Sequence, residues 1–155
     1  MTKEEMIVSE LRKRKQTLTT VESCTGGAIS ARIVDVPGAS DVLKEAFVTY
    51  CDEAKHDLVG VSEETLREHT AVSRETAVEM AEGGRKTAGA DLCLSATGIA
   101  GPGGTKEFPA GLVYIGCSYG TVTRVEEHRF QGSRNEVRMQ AVDAALDLAV
   151  QMILG

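Results

Sequence analysis

The sequence has no tryptophan, and only three phenylalanines and three tyrosines. Its core must therefore be built mainly from Val, Leu, Ile, Ala and Met side chains. Hydrophobic residues make up 42% of the 155 residues, which is typical of a globular protein. A chain of this length can bury roughly two thirds of its unfolded surface within one domain. We therefore expect a single domain over residues 1–155.

The chain also lacks an excess of basic residues, because its formal net charge is -6. A surface that binds the phosphate backbone of a nucleic acid needs clustered Lys and Arg, so nucleic acid is not expected as a partner. A small anionic ligand remains compatible with this charge. A few backbone amides and one arginine are enough to bind a single phosphate.

No apolar run approaches the ~18 residues that a membrane-spanning helix requires. The first residues, "MTKEEMIVSELRKRKQ", form a charged amphipathic pattern without the apolar region of a secretory signal. We therefore expect a cytoplasmic protein without a membrane segment.

Cysteine and histidine are too few and too scattered to predict a metal site. No C-x-x-C pair occurs among the four cysteines, and the three histidines lie in polar contexts. The cysteines are Cys24, Cys51, Cys93 and Cys117. We expect free thiols, no metal and no cofactor.

The hydrophobic pattern alternates between short β-branched segments and amphipathic helical ones. Strands are predicted for "TLTTVES", "EAFVTYC", "ADLCLSATG", "LVYIGCSYG" and "TVTRVEEHRF", the last two as an antiparallel hairpin around Gly120. Ser133 followed by Glu136 is a capping-box pattern before a long C-terminal helix. This mixture predicts a three-layer α/β/α domain with a mixed sheet.

Three predicted strands are followed by loops that are rich in small or hydroxyl residues. The loops are "ESCTGG" (22–27), "YCDEAK" (50–55) and "ATGIAGPGG" (96–104). Ligands of open α/β sheets collect at the carboxyl ends of the strands, so these loops are the predicted site. Neither glycine-rich loop matches a P-loop or a dinucleotide fingerprint, and a short phosphate or a carboxamide suits them better.

Six short blocks of the sequence resemble those of a known family. The blocks "ESCTGG", "FVTYCDEAK", "GVSEETL", "TAVS", "ATGIAGPGG" and "GLVYIG" occur in the order and at the spacing of the CinA C-terminal family, from about residue 5 to residue 153. Stand-alone members are nicotinamide-nucleotide amidases. The resemblance implies a three-layer α/β domain and hydrolysis of the carboxamide of nicotinamide mononucleotide to nicotinate mononucleotide and ammonia.

The resemblance also implies a serine nucleophile assisted by a lysine and a tyrosine. Matching the motifs places these roles on Ser40, Tyr50 and Lys55. Lysine can take the serine proton only if its amine is neutral near pH 7, which requires burial or a cationic neighbour. The chain has Cys51 and Asp52 where the family commonly shows "YSNEAK", and Asp52 would raise the lysine's pKa if the two meet. Cys24 is the rival nucleophile.

Substrate-binding residues are expected in the two glycine-rich loops and the last helix. Arg138 matches an arginine of the family's C-terminal "R..VR.QA" pattern, so we expect it, rather than Arg134, to bind the phosphate. Glu22 can orient Lys55, bind a ribose hydroxyl or cap a turn. The full predicted set is Glu22, Thr25, Gly26, Gly27, Thr97, Gly98, Gly101 and Arg138.

Two other functions stay open from the sequence. One is a non-catalytic nucleotide-binding module, associated with competence or DNA damage as the family's name suggests, and Asp52 favours it because a charged lysine is an inert base. The other is an amidase for a different pyridine or nucleoside carboxamide. The hairpin's edge strand and the apolar last helix suggest a homo-oligomer.

Overall fold

Hydroxyl side chains mark the starts of most helices in the computed structural model, which describes all 155 residues. Thr2 and Ser133 each form a capping box, with Glu5 and Glu136 respectively, and the box predicted at Ser133 is thus confirmed. The helices are α1 (Lys3–Arg14), α2 (Ala28–Val34), α3 (Asp52–Val59), α4 (Glu63–His69), α5 (Arg74–Ala88) and α6 (Arg134–Leu154).

The five predicted strands form one sheet. They are β1 (Leu18–Glu22), β2 (Phe47–Val48), β3 (Leu92–Gly98), β4 (Leu112–Tyr119) and β5 (Val122–Arg129), in the order β2-β1-β3-β4-β5. β1 pairs in parallel with β2 and β3, whereas β4 is antiparallel to both β3 and β5. The mixed sheet and the hairpin of β4 and β5 are therefore confirmed.

Helices cover both faces of this sheet. On one face α1, α2 and α6 pack over the larger hydrophobic core, whose fully buried members include Leu11, Ile29, Leu94 and Leu146. On the other face α3, α4 and α5 enclose a smaller core that includes Val21, Met80 and Cys93. The three-layer α/β/α architecture is confirmed. No helix is long and apolar enough to cross a membrane.

β2 is much shorter than the predicted strand "EAFVTYC". It lies at the sheet edge and pairs only at Phe47 and Val48, opposite Val21 and Glu22. Upstream of it, the Thr19 hydroxyl donates a hydrogen bond to the Glu45 carbonyl (2.7 Å). At Glu45 a side-chain bond thus stands where a strand-ladder bond was expected, and regular pairing covers two residues.

The parallel pairing brings the carboxyl ends of β1, β2 and β3 to one edge of the sheet. Glu22 lies between Val48 and Ala96 in the ladder, so the segments after these three residues emerge side by side. The three loops that the sequence singled out are these segments, and their convergence is confirmed.

Candidate active site

A cavity of about 310 Å³ opens at the carboxyl edge of the sheet. Its walls come from all three loops, together with the segment before α5 and the first residue of α6. The lining residues are Ser23, Cys24, Tyr50, Asp52, Lys55, Ala71, Val72, Thr97, Gly98, Ile99, Ala100, Gly101, Pro102 and Arg134. Its size lies at the lower end of the range for small-molecule sites.

Lys55 is the buried charged group of this cavity. It lies in the first turn of α3 and is only 1% exposed. Its Nζ is 2.8 Å from the carbonyl oxygen of Thr49 and 3.2 Å from Oγ of Ser23. No carboxylate forms an ion pair with it. Its amine therefore contacts only neutral groups.

Burial lowers the pKa of Lys55 below its ordinary value of 10.5. Burial disfavours the ammonium form because the charge loses its hydration. Asp52 raises the same pKa by its charge, yet the net shift is downward. Asp52 is itself exposed, so solvent screens its charge. The expected opposing effect of Asp52 is therefore present but smaller than that of burial.

Ser23 is a candidate site residue that reasoning from the sequence missed. It follows β1 directly, and its N–H donates to the carbonyl of Ala96 on β3 (2.9 Å), which fixes it at the sheet edge. Its side chain is half-buried and is the one hydroxyl within hydrogen-bond distance of Lys55 Nζ. The signal that could have identified it is its place in "ESCTGG", a hydroxyl at the carboxyl end of a parallel strand.

Ser40 is not near Lys55, and the proximity expected from the motif match is wrong. It lies exposed in a short 3-10 turn (Ala39–Asp41), with its carbonyl bound by Lys44 Nζ (2.7 Å). This turn lies at the amino end of β1, where Leu18 N–H donates to the Val42 carbonyl. Lys55 lies at the carboxyl end. Five strand residues separate the two ends, or roughly 16 Å at ~3.3 Å per residue.

Tyr50 lies at the mouth of the cavity and is 60% exposed. Its hydroxyl accepts a hydrogen bond from Nη2 of Arg134 (2.9 Å) rather than meeting Lys55 or Ser23. Nη1 of Arg134 donates to the carbonyl of Gly101 (2.7 Å). Tyr50 and Lys55 thus share the cavity, but the hydroxyl of Tyr50 is directed to the rim.

The arginine of the cavity is Arg134, not the expected Arg138. Arg138 does not line the cavity, because its guanidinium is directed at the backbone of the loop after β1. Its Nε donates to the carbonyl of Cys24 and its Nη2 to that of Thr25, both at 2.9 Å. The phosphate role expected for Arg138 therefore does not fit its position.

Glu22 caps helix α2, which is one of the three roles that the sequence left open. Its carboxylate is fully buried and accepts from the N–H groups of Gly27 (3.2 Å), Ile29 (2.9 Å) and Ser30 (3.0 Å). The hydroxyl of Thr20 donates to it as well (3.0 Å). Gly27 carries no side chain, so Glu22 supplies the cap that α2 would otherwise lack. Glu22 does not line the cavity.

The expected anion site at "CTGG" is therefore already filled by a carboxylate of the chain itself. The N–H of Gly27 is bound to Glu22, and the N–H of Gly26 donates to the carbonyl of Ser23 (3.0 Å). Thr25 is fully buried with no hydrogen-bond partner for its hydroxyl, and it does not line the cavity. Both glycines have positive φ (59° and 101°), so their presence follows from the turn itself.

The third loop does line the cavity, as expected, although two of its predicted residues are tied to the fold. Thr97 donates its hydroxyl proton to the carbonyl of Ala71 (2.7 Å). A side chain at Gly98 would lie 2.4 Å from the carbonyl of Leu112, so this glycine is required by the close approach of β4. Gly101 lines the cavity and contacts Arg134.

Cys24 has the wrong electrostatic environment for the rival nucleophile. Burial raises its pKa to about 11, because the thiolate would lose its hydration. The thiol is therefore protonated at neutral pH, whereas reactive cysteines have lowered pKa values. The cavity thus offers one hydroxyl nucleophile beside one amine of depressed pKa, an arrangement that can support acyl transfer.

The whole chain matches known proteins. The model of the CinA C-terminal domain matches residues 1–153. The chain belongs to the CinA C-terminal domain family. It is 48% identical over 152 residues to a CinA-like protein of Kosmotoga olearia and 48% identical over 153 residues to a putative competence-damage inducible protein of a Thermoanaerobacter species. These matches cover 97% and 98% of the chain but 37% of each relative's length.

Solved CinA structures share the fold closely. The competence/damage inducible protein CihA from Agrobacterium tumefaciens has a TM-score of 0.92 and 35% identity, covering 97% of this chain and 96% of that one. A CinA superfamily protein from Escherichia coli has a TM-score of 0.93 and 31% identity, covering 97% and 88%. The family and the α/β fold named from the sequence are thus both confirmed.

Proposed function

We propose that this CinA-family domain is an amidohydrolase that releases ammonia from the carboxamide of nicotinamide mononucleotide, with Ser23 as nucleophile and Lys55 as its base. The observation that carries the proposal is the 3.2 Å contact between Ser23 Oγ and a buried amine of lowered pKa. A serine hydroxyl reacts only when a nearby base removes its proton. Lys55 is the only base in contact with it.

Lys55 can perform this step without moving far. In its neutral form Nζ keeps a donor for the Thr49 carbonyl and has a lone pair for the proton of Ser23. As Ser23 Oγ bonds to the carboxamide carbon, its proton passes to Lys55 and the carbonyl electrons move onto oxygen. Collapse breaks the C–N bond, and Lys55 returns the proton to the leaving nitrogen, which departs as ammonia. Water then hydrolyses the acyl-serine by the same route.

Nicotinamide mononucleotide is proposed as the substrate because of the family resemblance and the rim of the cavity. Arg134 is exposed and reaches the rim beside Tyr50. A guanidinium there can bind a phosphate through two parallel N–H···O hydrogen bonds. Tyr50 offers a ring and a hydroxyl to the rest of the nucleotide. Tyr50 is thus proposed as a substrate-contacting residue.

The test compares three substitutions in an assay for ammonia release from nicotinamide mononucleotide. Ser23→Ala and Lys55→Met are each expected to lower kcat by roughly 10²–10⁴-fold, the usual contribution of such groups. Ser40→Ala is the matched control, and we expect it to stay within about twofold of the unchanged protein. Full activity in Ser23→Ala would overturn the mechanism. Loss of activity in Ser40→Ala would favour Ser40, the serine that the motif match indicates, as the nucleophile.

A thermal-shift titration separates hydrolysis from mere binding. If the domain is an amidase, nicotinamide mononucleotide should raise the melting temperature of Ser23→Ala without being consumed. Stabilisation of the unchanged protein with no ammonia released would instead support the non-catalytic nucleotide-binding module. Ammonia release from nicotinamide riboside at an equal rate would show that the phosphate contributes nothing and that the substrate is another carboxamide.

A further inference from the structure

The cavity at the carboxyl edge of the sheet is lined by three side chains that carry a charge in water, and they do not share one sign. They are Asp52, Lys55 and Arg134. In the proposed reaction Lys55 acts as a neutral amine, so the charges that a substrate meets are one carboxylate and one guanidinium. Arg134 is assigned to the phosphate. Asp52 is the only acidic residue of the lining, and the serine chemistry leaves it without a role.

The carboxylate of Asp52 is not neutralised by the fold. Asp52 is exposed at the first position of α3 and forms no ion pair with any lysine, arginine or histidine of the chain. Its charge still reaches the reacting groups. Burial lowers the pKa of Lys55, and Asp52 is the strongest of the charges that oppose this shift. An unpaired carboxylate close to the reacting groups is therefore available to a positive charge on the substrate.

The helix dipole alone does not explain this acid. Acidic residues are favoured in the first turn of a helix, and α3 has two of them, Asp52 and Glu53. Glu53 satisfies that preference equally well, yet it does not line the cavity. The dipole thus accounts for acids in this turn, but it makes no distinction between the two positions. What separates the two acids is that a ligand in the cavity meets the charge of Asp52.

Tyr50 adds an aromatic ring to the same cavity. It precedes Asp52 by two residues and is 60% exposed. Its hydroxyl is bound by Arg134 (2.9 Å), which fixes the ring at the mouth of the cavity. The face of a tyrosine ring attracts cations, and a carboxylate supplies the opposite charge. Together they favour a flat organic cation over an uncharged ring of the same shape.

We propose that Asp52 is a specificity-determining residue that selects a carboxamide on a positively charged ring, such as a pyridinium, over a carboxamide on a neutral ring. This inference rests on the proposed function, because it takes the carboxamide to react at Ser23 and the phosphate to bind Arg134. The ring joins these two groups and lies in the same cavity as Asp52. A pyridinium nucleotide carries one charge of each sign, and the cavity offers the opposite sign for each.

The experiment compares the binding of two nucleotides that differ in the charge of the ring. Nicotinamide mononucleotide has a pyridinium ring, whereas its dihydro form has a neutral ring with the same carboxamide, ribose and phosphate. Titration calorimetry at mildly alkaline pH and low salt gives the ratio of their dissociation constants. All variants are made in a Lys55→Met background, in which hydrolysis is slow and no lysine in the cavity changes its charge. Asp52→Asn is the test, and Glu53→Gln removes the same charge from the same turn as the matched control.

With Asp52 in place we expect the pyridinium form to bind more tightly, and Asp52→Asn to lower that preference by roughly fivefold, the upper range for an exposed charge pair. Glu53→Gln should keep the preference within about twofold, and Asp52→Glu should retain it as well. High salt should reduce the effect of Asp52→Asn, because the charge is exposed. A change below about twofold in Asp52→Asn, or an equal change in Glu53→Gln, would overturn the inference.

The outcomes separate this inference from the proposed function. Arg134→Gln should weaken both nucleotides by similar factors and leave their ratio unchanged, because both carry the same phosphate. Loss of the preference in Asp52→Asn, in a protein that releases no ammonia from nicotinamide mononucleotide, would refute the amidase and leave the charge selection intact. Ammonia release with an unchanged preference in Asp52→Asn would refute the role of Asp52 alone. Binding of neither nucleotide by the folded protein would refute both.

Discussion

Replacing Glu22 by Gln tests whether its carboxylate stabilises the loop after β1 or binds substrate. Its Oε1 accepts from the N–H groups of Gly27 and Ile29, and its Oε2 from Thr20 and Ser30. A glutamine whose oxygen takes the place of Oε1 has its NH₂ group in the place of Oε2, facing the N–H of Ser30. The Thr20 hydroxyl can rotate and accept, but the backbone N–H cannot.

The magnitude follows from these bonds. One donor left without an acceptor costs about 1–3 kcal/mol, and the two bonds at Oε1 each lose about 1 kcal/mol when their acceptor becomes neutral. We therefore expect Glu22→Gln to lower the free energy of unfolding by about 3–5 kcal/mol. For a domain of this size that is a fall in melting temperature of roughly 6–20 °C.

Denaturant unfolding and calorimetry measure this change, with Glu5→Gln as control. Glu5 occupies the capping box of α1 on the surface, where glutamine serves nearly as well, so a change of under about 1 kcal/mol is expected. Equal, small effects of the two substitutions would refute the capping argument. A rise in KM with unchanged stability would show instead that Glu22 binds substrate.

Two further predictions concern the ionisable groups of the cavity. In the proposed mechanism neutral Lys55 is the active form, so kcat/KM should rise with pH through its lowered pKa. Asp52→Asn removes a charge that raises this pKa, so the rise should move to lower pH. Asp57→Asn, which changes an exposed residue of α3, should leave the rise in place. An unmoved profile in Asp52→Asn would contradict the assignment of the base. Cys24→Ala should keep most of the ammonia release because the pKa of the thiol, about 11, leaves it protonated; a folded but inactive variant would return Cys24 to the chemistry.

The elements and layers of the fold were predictable from the sequence because their signals are local. Such local signals, each acting over a few residues, are caps such as Ser133, the helical periodicity after it, and the glycine between β4 and β5. The shortness of β2 was not predictable. The segment before β2 is instead bonded to a side chain, from the hydroxyl of Thr19 to the carbonyl of Glu45, and such a tertiary contact has no local signal in the sequence.

The choice between Ser40 and Ser23 as the proposed nucleophile likewise depends on tertiary rather than local information. Ser40 is closer than Ser23 to Lys55 in sequence, and the motif match favoured it. The register of β1 against β2 decides otherwise, because it pairs Glu22 with Val48 and so brings Ser23 beside Thr49, whose carbonyl binds Lys55. Sequence reasoning located the sheet edge at which the cavity opens and the lysine that lines it, but the contact of that lysine with Ser23 rather than Ser40 depends on the register.

The energetics of Lys55 fit the catalytic role that we propose for it better than a role in stability. A buried ammonium without a carboxylate partner costs several kcal/mol, and the usual response of such a group is to lose its proton. Methionine or leucine at this position would fill the space without that cost. The fold nevertheless buries an amine between a carbonyl and a hydroxyl, both neutral. The unfavourable burial of the ammonium form lowers the pKa of Lys55, and a base of lowered pKa beside Ser23 is what the proposed serine chemistry requires.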